Sequence, residues 1–153
     1  MKYNTGKDEG ENNIFIGQFS GTNTTEDHNI FIGNYSGYSN DTGKENIFMG
    51  RSSGYTNDEG SFNTFFGYES GFLNQSGNYN LFIGHQSGYN ETGSYMLYIS
   101  NQNDTDNKPT LYGNLNTSQI AIATTNLGSY SLTVVKTCLW LNCLSSKPVL
   151  LPD

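Results

Sequence analysis

A chain of 153 residues with a net charge of −7 and only 7 scattered Lys and Arg cannot neutralise a phosphate backbone, so nucleic acid is not an expected partner. Hydrophobic residues make up 34%, below the usual 45–50% of globular chains, yet 11 Tyr and 9 Phe make disorder equally unexpected. No apolar signal region opens the chain, and Lys136, Asn142, Lys147 and Pro148 interrupt the apolar stretch 132–151, so no membrane span is expected.

In chain order, the first element is a pentapeptide that returns. It reads Asn13-Ile14-Phe15-Ile16-Gly17, then Asn29-Ile30-Phe31-Ile32-Gly33, then Asn46-Ile47-Phe48-Met49-Gly50. It goes on as Asn63-Thr64-Phe65-Phe66-Gly67 and Asn80-Leu81-Phe82-Ile83-Gly84, and a worn copy, Tyr95-Met96-Leu97-Tyr98-Ile99, ends the series. The aromatic positions step by 16, 17, 17, 17 and 16. A unit this short is one coil of a solenoid, because it needs its neighbours to bury its apolar side. Residues 1–100 are therefore read as the repeat array of an all-β, short-coil parallel β-solenoid (β-roll) with repeats of 16–17 residues.

After each strand comes a Ser-Gly corner, such as Tyr35-Ser36-Gly37 or Glu69-Ser70-Gly71. A polar arm follows, such as Tyr38-Ser39-Asn40-Asp41-Thr42-Gly43. Gly17, Gly33, Gly50, Gly67 and Gly84 are the turn glycines, since a corner often needs a positive φ. Asn tolerates the same region, and stacked Asn amides are expected to form a ladder.

Side chains alternate across a strand, so Phe15, Phe31, Phe48, Phe65 and Phe82 face one way and Ile30, Ile32 and Ile47 the other. These eight residues are the expected structural core of the repeat. A strand apolar on both faces is normally covered on both. A coil of ~17 residues has a perimeter of roughly 56 Å and encloses only one of them. The other face is expected to meet further copies of the chain, most economically as a closed homotrimer.

From Ser100 the period stops. Residues 101–135 read as a short β cap or transition segment, with strands over Thr110–Leu115, Gln119–Ala123 and Tyr130–Val135. Residues 136–153 form a tail of unread structure holding Cys138 and Cys143, whose C-x4-C spacing without His is not a zinc pattern.

Asn63 to Gly71 resembles the repeat of bacterial and phage trimeric tail-fibre or adhesin-like proteins, and is similar to the smaller head repeats of trimeric autotransporter adhesins. The resemblance runs over roughly residues 12–135. It implies a parallel trimer, a structural or adhesive role, a place outside the cell or on a virion, and no catalysis in the repeats.

No residue set reads as catalytic and no cofactor is expected. His28 and His85 occupy different repeat positions, and the repeated Ser is a corner residue rather than a nucleophile. The loose carboxylate pairs read as solvated turn arms; Asn103, Asp104 and Asp106 would be the best place for a divalent ion, though no metal site is expected. A second function is a carbohydrate-binding solenoid, with Tyr35, Tyr38, Tyr55, Tyr68 and Tyr89 as aromatic platforms for a cell-surface glycan, Tyr38, Tyr55 and Tyr89 foremost; ice binding fits less well, because the matching arm positions are the mixed set Thr42, Glu59, Ser76 and Thr92. A third is a tailspike-type polysaccharide depolymerase. The sequons at Asn23, Asn34, Asn40, Asn74, Asn90, Asn103 and Asn116 would carry sugar only in a glycosylating source.

Overall fold

Three consecutive extended residues per coil are enough to start a sheet when the next coil repeats them one level up. In the computed structural model, which describes residues 2–4, 10–101 and 110–122, they build one nine-stranded sheet in sequence order. Its strands are β1 (Lys2–Asn4), β2 (Asn13–Ile16), β3 (Ile30–Ile32), β4 (Ile47–Met49), β5 (Thr64–Phe66), β6 (Leu81–Ile83), β7 (Met96–Ile99), β8 (Leu111–Asn114) and β9 (Gln119–Ile122). Strands β2 to β7 pair in parallel with equivalent repeat positions in register: Phe15 beside Phe31, Phe31 beside Phe48, and so on to Phe82 beside Tyr98. The chain is a parallel β-solenoid of about five turns. At each end the direction reverses: β1 lies antiparallel to β2, β8 antiparallel to β7, and β9 antiparallel to β8. Strands β8 and β9 lie within two of the strands expected after the repeats. The third, at 130–135, lies outside the described residues, as do the tail 136–153, Asn103, Asp104 and Asp106.

The core is a single column of rings. Phe31, Phe48, Phe65 and Phe82 have no exposed surface and Phe15 is 3% exposed. Successive rings stack with centroids 4.7 to 5.3 Å apart from Phe15 through to Tyr98. The spacing follows from the strand separation of ~4.8 Å, which puts identical rings in offset contact.

Opposite the strand stands the Ser-Gly corner, and the rings explain why that dipeptide returns. A Cβ on Gly37 would lie 2.5 Å from the Phe31 ring, and the residue sits at φ 58°. The preceding Ser turns inward and donates to the carbonyl of the next coil's core aromatic: Ser36 Oγ to Phe48 O at 3.0 Å and Ser53 Oγ to Phe65 O at 3.2 Å. That carbonyl also sits in the parallel ladder, so the hydroxyl supplies a second bond, and a typical intramolecular hydrogen bond contributes about 0.5–1.5 kcal/mol net. Ser53→Ala is therefore expected to destabilise the fold by about that amount in denaturant titration, with the far-ultraviolet spectrum unchanged. No measurable change would show that the ladder bond alone satisfies the carbonyl.

Asparagine does the remaining interior work. Asn29 N donates to Asn13 Oδ1 (2.7 Å), Asn46 N to Asn29 Oδ1 (3.0 Å), Asn63 N to Asn46 Oδ1 (2.9 Å) and Asn80 N to Asn63 Oδ1 (2.9 Å). The expected ladder is present, but its rungs run mainly from backbone amide to side-chain oxygen rather than amide to amide. Asn40, Asn57 and Asn74 form a second buried column beside it, joined by Asn57 Nδ2 to Asn40 Oδ1 at 2.9 Å.

Glycine is not the only residue with positive φ. In every coil the residue before the strand (His28, Glu45, Phe62, Tyr79, Tyr95) and the residue before the corner Ser (Tyr35, Ser52, Glu69, Gln86) lie at φ between 51 and 62°. Such a backbone is uncommon for side chains of this size. Coil-to-coil bonds fix it here: Phe62 N donates to Lys44 O (3.1 Å) and Tyr79 N to Ser61 O (3.1 Å).

Candidate functional site

The parallel strands leave one face turned away from the ring column. Two columns of side chains stand on it. The first is Ile14, Ile30, Ile47, Thr64 and Leu81; the second is Ile16, Ile32, Met49, Phe66, Ile83 and Ile99. None carries a charge, and Thr64 alone has a polar group. Ile14 is 36% exposed, Ile47 40% and Phe66 52%, while Ile30 and Ile32 are half-buried. Of the residues expected as repeat core, the five Phe are enclosed by their own chain and the Ile are not. Leu97, which continues the first column at β7, is covered at 7%.

Two flanks border the face. Before the strand, level by level, stand Asn12, His28, Glu45, Phe62, Tyr79 and Tyr95; Phe62, Tyr79 and Tyr95 stack at 4.8 and 5.0 Å and remain exposed. After the strand stand Gln18, Asn34, Arg51, Tyr68 and His85. The Arg51 guanidinium lies 4.8 Å above the Tyr68 ring, Arg51 Nη2 donates to Tyr68 Oη at 2.8 Å, and Tyr68 stacks on His85 at 5.0 Å. Of these flanks the expected sites named only Tyr68. Their signal was their fixed offset from the strand Asn and Gly, hidden because residue type changes at each level.

Of the tyrosines considered as glycan platforms, Tyr38, Tyr55 and Tyr89 lie on the polar arm. Tyr38, Tyr55, Phe72 and Tyr89 form a column with centroids 5.2, 5.0 and 4.9 Å apart. Tyr55 is stacked on both faces, by Tyr38 and Phe72, and so presents its edge to solvent; Tyr38 and Tyr89 end the column, with Tyr35 edge-on to Tyr38 at 5.5 Å. Burial raises the Tyr89 phenol above the usual tyrosine range, with the Glu69 charge adding to it. Beside this column runs an open polar groove lined by Asn23, Ser39, Asp41, Thr56, Asp58 and Gln75. Asn40 and Asn74 have no exposed surface, so these two of the expected sequons have no room for a sugar in the folded chain.

The last coil is built differently. Tyr98 replaces the core Phe and Glu91 stands one level beyond Asn74, where an amide would continue the second column. Tyr98 Oη donates to Glu91 Oε2 at 2.5 Å, and Gly93 N donates to Glu91 Oε1 at 2.7 Å. Burial, then the bond to Glu91, holds the Tyr98 phenol far above the ordinary tyrosine range. With no amide above it, Asn74 turns its Nδ2 to Glu91 O at 2.9 Å, and its own Oδ1 is left without a partner.

Among the described residues, no group of three or more His, Cys, Asp and Glu could hold a metal ion, and no helix is long and apolar enough to cross a membrane. The chain is thus defined by its architecture, a short-coil β-solenoid with an apolar outer sheet face. No family model matches it, nor does a curated protein or a solved structure.

Proposed function

We propose that this chain is a segment of a structural and adhesive fibre, assembled as a homotrimer and displayed outside a cell or on a virion, as in tail fibres and surface adhesins. One observation carries the reading. Each coil already encloses its own core, yet the sheet keeps an uncharged, apolar double column on its outside. Contiguous apolar patches of roughly 300–600 Å² commonly mark interaction sites. Rotational symmetry covers the same patch on every copy at once.

In this reading the solenoid is a rod element, its stiffness comes from the stacked rings and bonded Asn columns, and it performs no catalysis. Light scattering on the native protein tests it. The expected particle has three times the 16.9 kDa chain mass. A 16.9 kDa particle at micromolar concentration overturns the reading.

A further inference from the structure

The two flanks of the outer face have never to meet within one chain. Glu45 and Arg51 bracket strand β4, six residues and roughly 20 Å apart at ~3.3 Å per residue. They do meet between copies if the copies form a ring about an axis parallel to the stack. Rotation about such an axis leaves height unchanged, so each level of one copy lies beside the same level of the next. The flank after the strand then faces the neighbour's flank before it.

Resting on the three-copy reading, we propose that the chains associate in this way: parallel, in register, with the C-terminal side of each strand against the N-terminal side of the same strand in the neighbouring copy. Three levels of chemistry fit that register. At β4 the exposed Arg51 meets the exposed Glu45 of the neighbour, opposite charges at one height. One level up, Tyr68 meets Phe62, aromatic against aromatic. On the face itself, β5 carries the largest outward side chain, Phe66 at 52% exposure, and the smallest, Thr64. In the ring, Phe66 of one copy enters the space left by Thr64 of the next, so the level with the oversized residue is also the level with room for it.

Area points the same way. The double column covers roughly 24 Å by 12 Å, about 300 Å². That is well short of the ~800 Å² per partner in a stable interface, so two sheets face to face would be held weakly. A ring buries the flanks too, one against each neighbour.

Exchange variants test the register, with circular dichroism confirming that each chain stays folded. The single changes Glu45→Arg and Arg51→Glu are each expected to weaken association about fivefold or more at low salt, and the double exchange to restore most of it. Thr64→Phe is expected to weaken association by crowding, Phe66→Thr by leaving a void, and Thr64→Phe with Phe66→Thr to recover it. Recovery is the decisive readout, because Arg51→Glu also loses the bond to Tyr68, which the second change does not replace. If the native particle is a single chain, the three-copy reading itself falls. If it is a trimer but neither double exchange improves on its singles, the trimer stands and this register is wrong. A particle of two copies overturns the ring.

Discussion

Phe65→Ala is expected to cost about 3–5 kcal/mol of stability, among the largest effects of any single truncation in the chain. Phe65 has no exposed surface and is clamped between Phe48 at 4.8 Å and Phe82 at 4.7 Å, with interplanar angles of 8 and 5°. Its coil holds no second apolar side chain that could move into the gap. The coils above and below cannot close it, because backbone bonds around the perimeter keep them at sheet spacing: Thr64 N to Asn80 O at 2.8 Å, Gly54 N to Ser70 O at 2.9 Å and Phe62 N to Lys44 O at 3.1 Å. The cavity therefore persists, which is the expensive case. Denaturant midpoints at fixed protein concentration measure the effect, since an assembling chain gains apparent stability from its partners. Phe66→Ala, on the same strand but facing outward, should shift assembly and leave the coil's own core intact. A loss below about 1 kcal/mol for Phe65→Ala would mean that the column is not what holds the coils.

The second large effect is at Asn63. Asn63→Ala is expected to destabilise by about 3–5 kcal/mol despite removing no apolar surface, because three partners lose their bonds at once. Asn63 Oδ1 accepts from Asn80 N at 2.9 Å, and its Nδ2 donates to Gly77 O at 2.7 Å and more weakly to Asn57 Oδ1 at 3.4 Å. Asn46, Asn57, Asn63 and Asn80 are all essentially buried, so water does not replace what is lost. The same denaturant titration reads it. If Asn63→Ala matches an exposed Asn-to-Ala change, such as Asn90→Ala, the ladder contributes order but no stability.

Where one residue type filled one repeat position, the sequence was legible. The Phe column, its alternation with outward aliphatic residues, the Ser-Gly corner and the strand Asn were all read at their places; in the worn copy the aromatic step placed Tyr98 beside Phe82, but the five-residue unit was started one residue early, at Tyr95 instead of Met96. Legibility failed where geometry is imposed by neighbours rather than by residue type. Glu45, Phe62 and Tyr79 adopt positive φ because the adjacent coil supplies carbonyls at that height, and nothing in Glu, Phe or Tyr announces it. Strand β1 was missed because Lys2–Asn4 has no periodicity of its own and pairs only against β2. The outer face was half legible: its apolar columns follow from alternation, whereas the matched flanks become visible only when successive coils are laid in register.

The reversed strands at the two ends have a consequence for what this molecule refuses to do. Identical rings and identical amides piled in register, level on level, are also the construction of cross-β fibrils, which lengthen by adding matching strands at an open end. Here β1 at one end and β8 at the other run against the direction of the pile, and β9, antiparallel to β8, runs with it again. At the β1 end an arriving coil would find its hydrogen-bonding template pointing the wrong way; at the other, β9 (Gln119–Ile122) carries neither the Phe nor the Asn that a coil would match, and natural sheets use comparable devices to blunt their edges. Within the described residues the pile of matching coils is thus bounded on both sides by strands that do not repeat it.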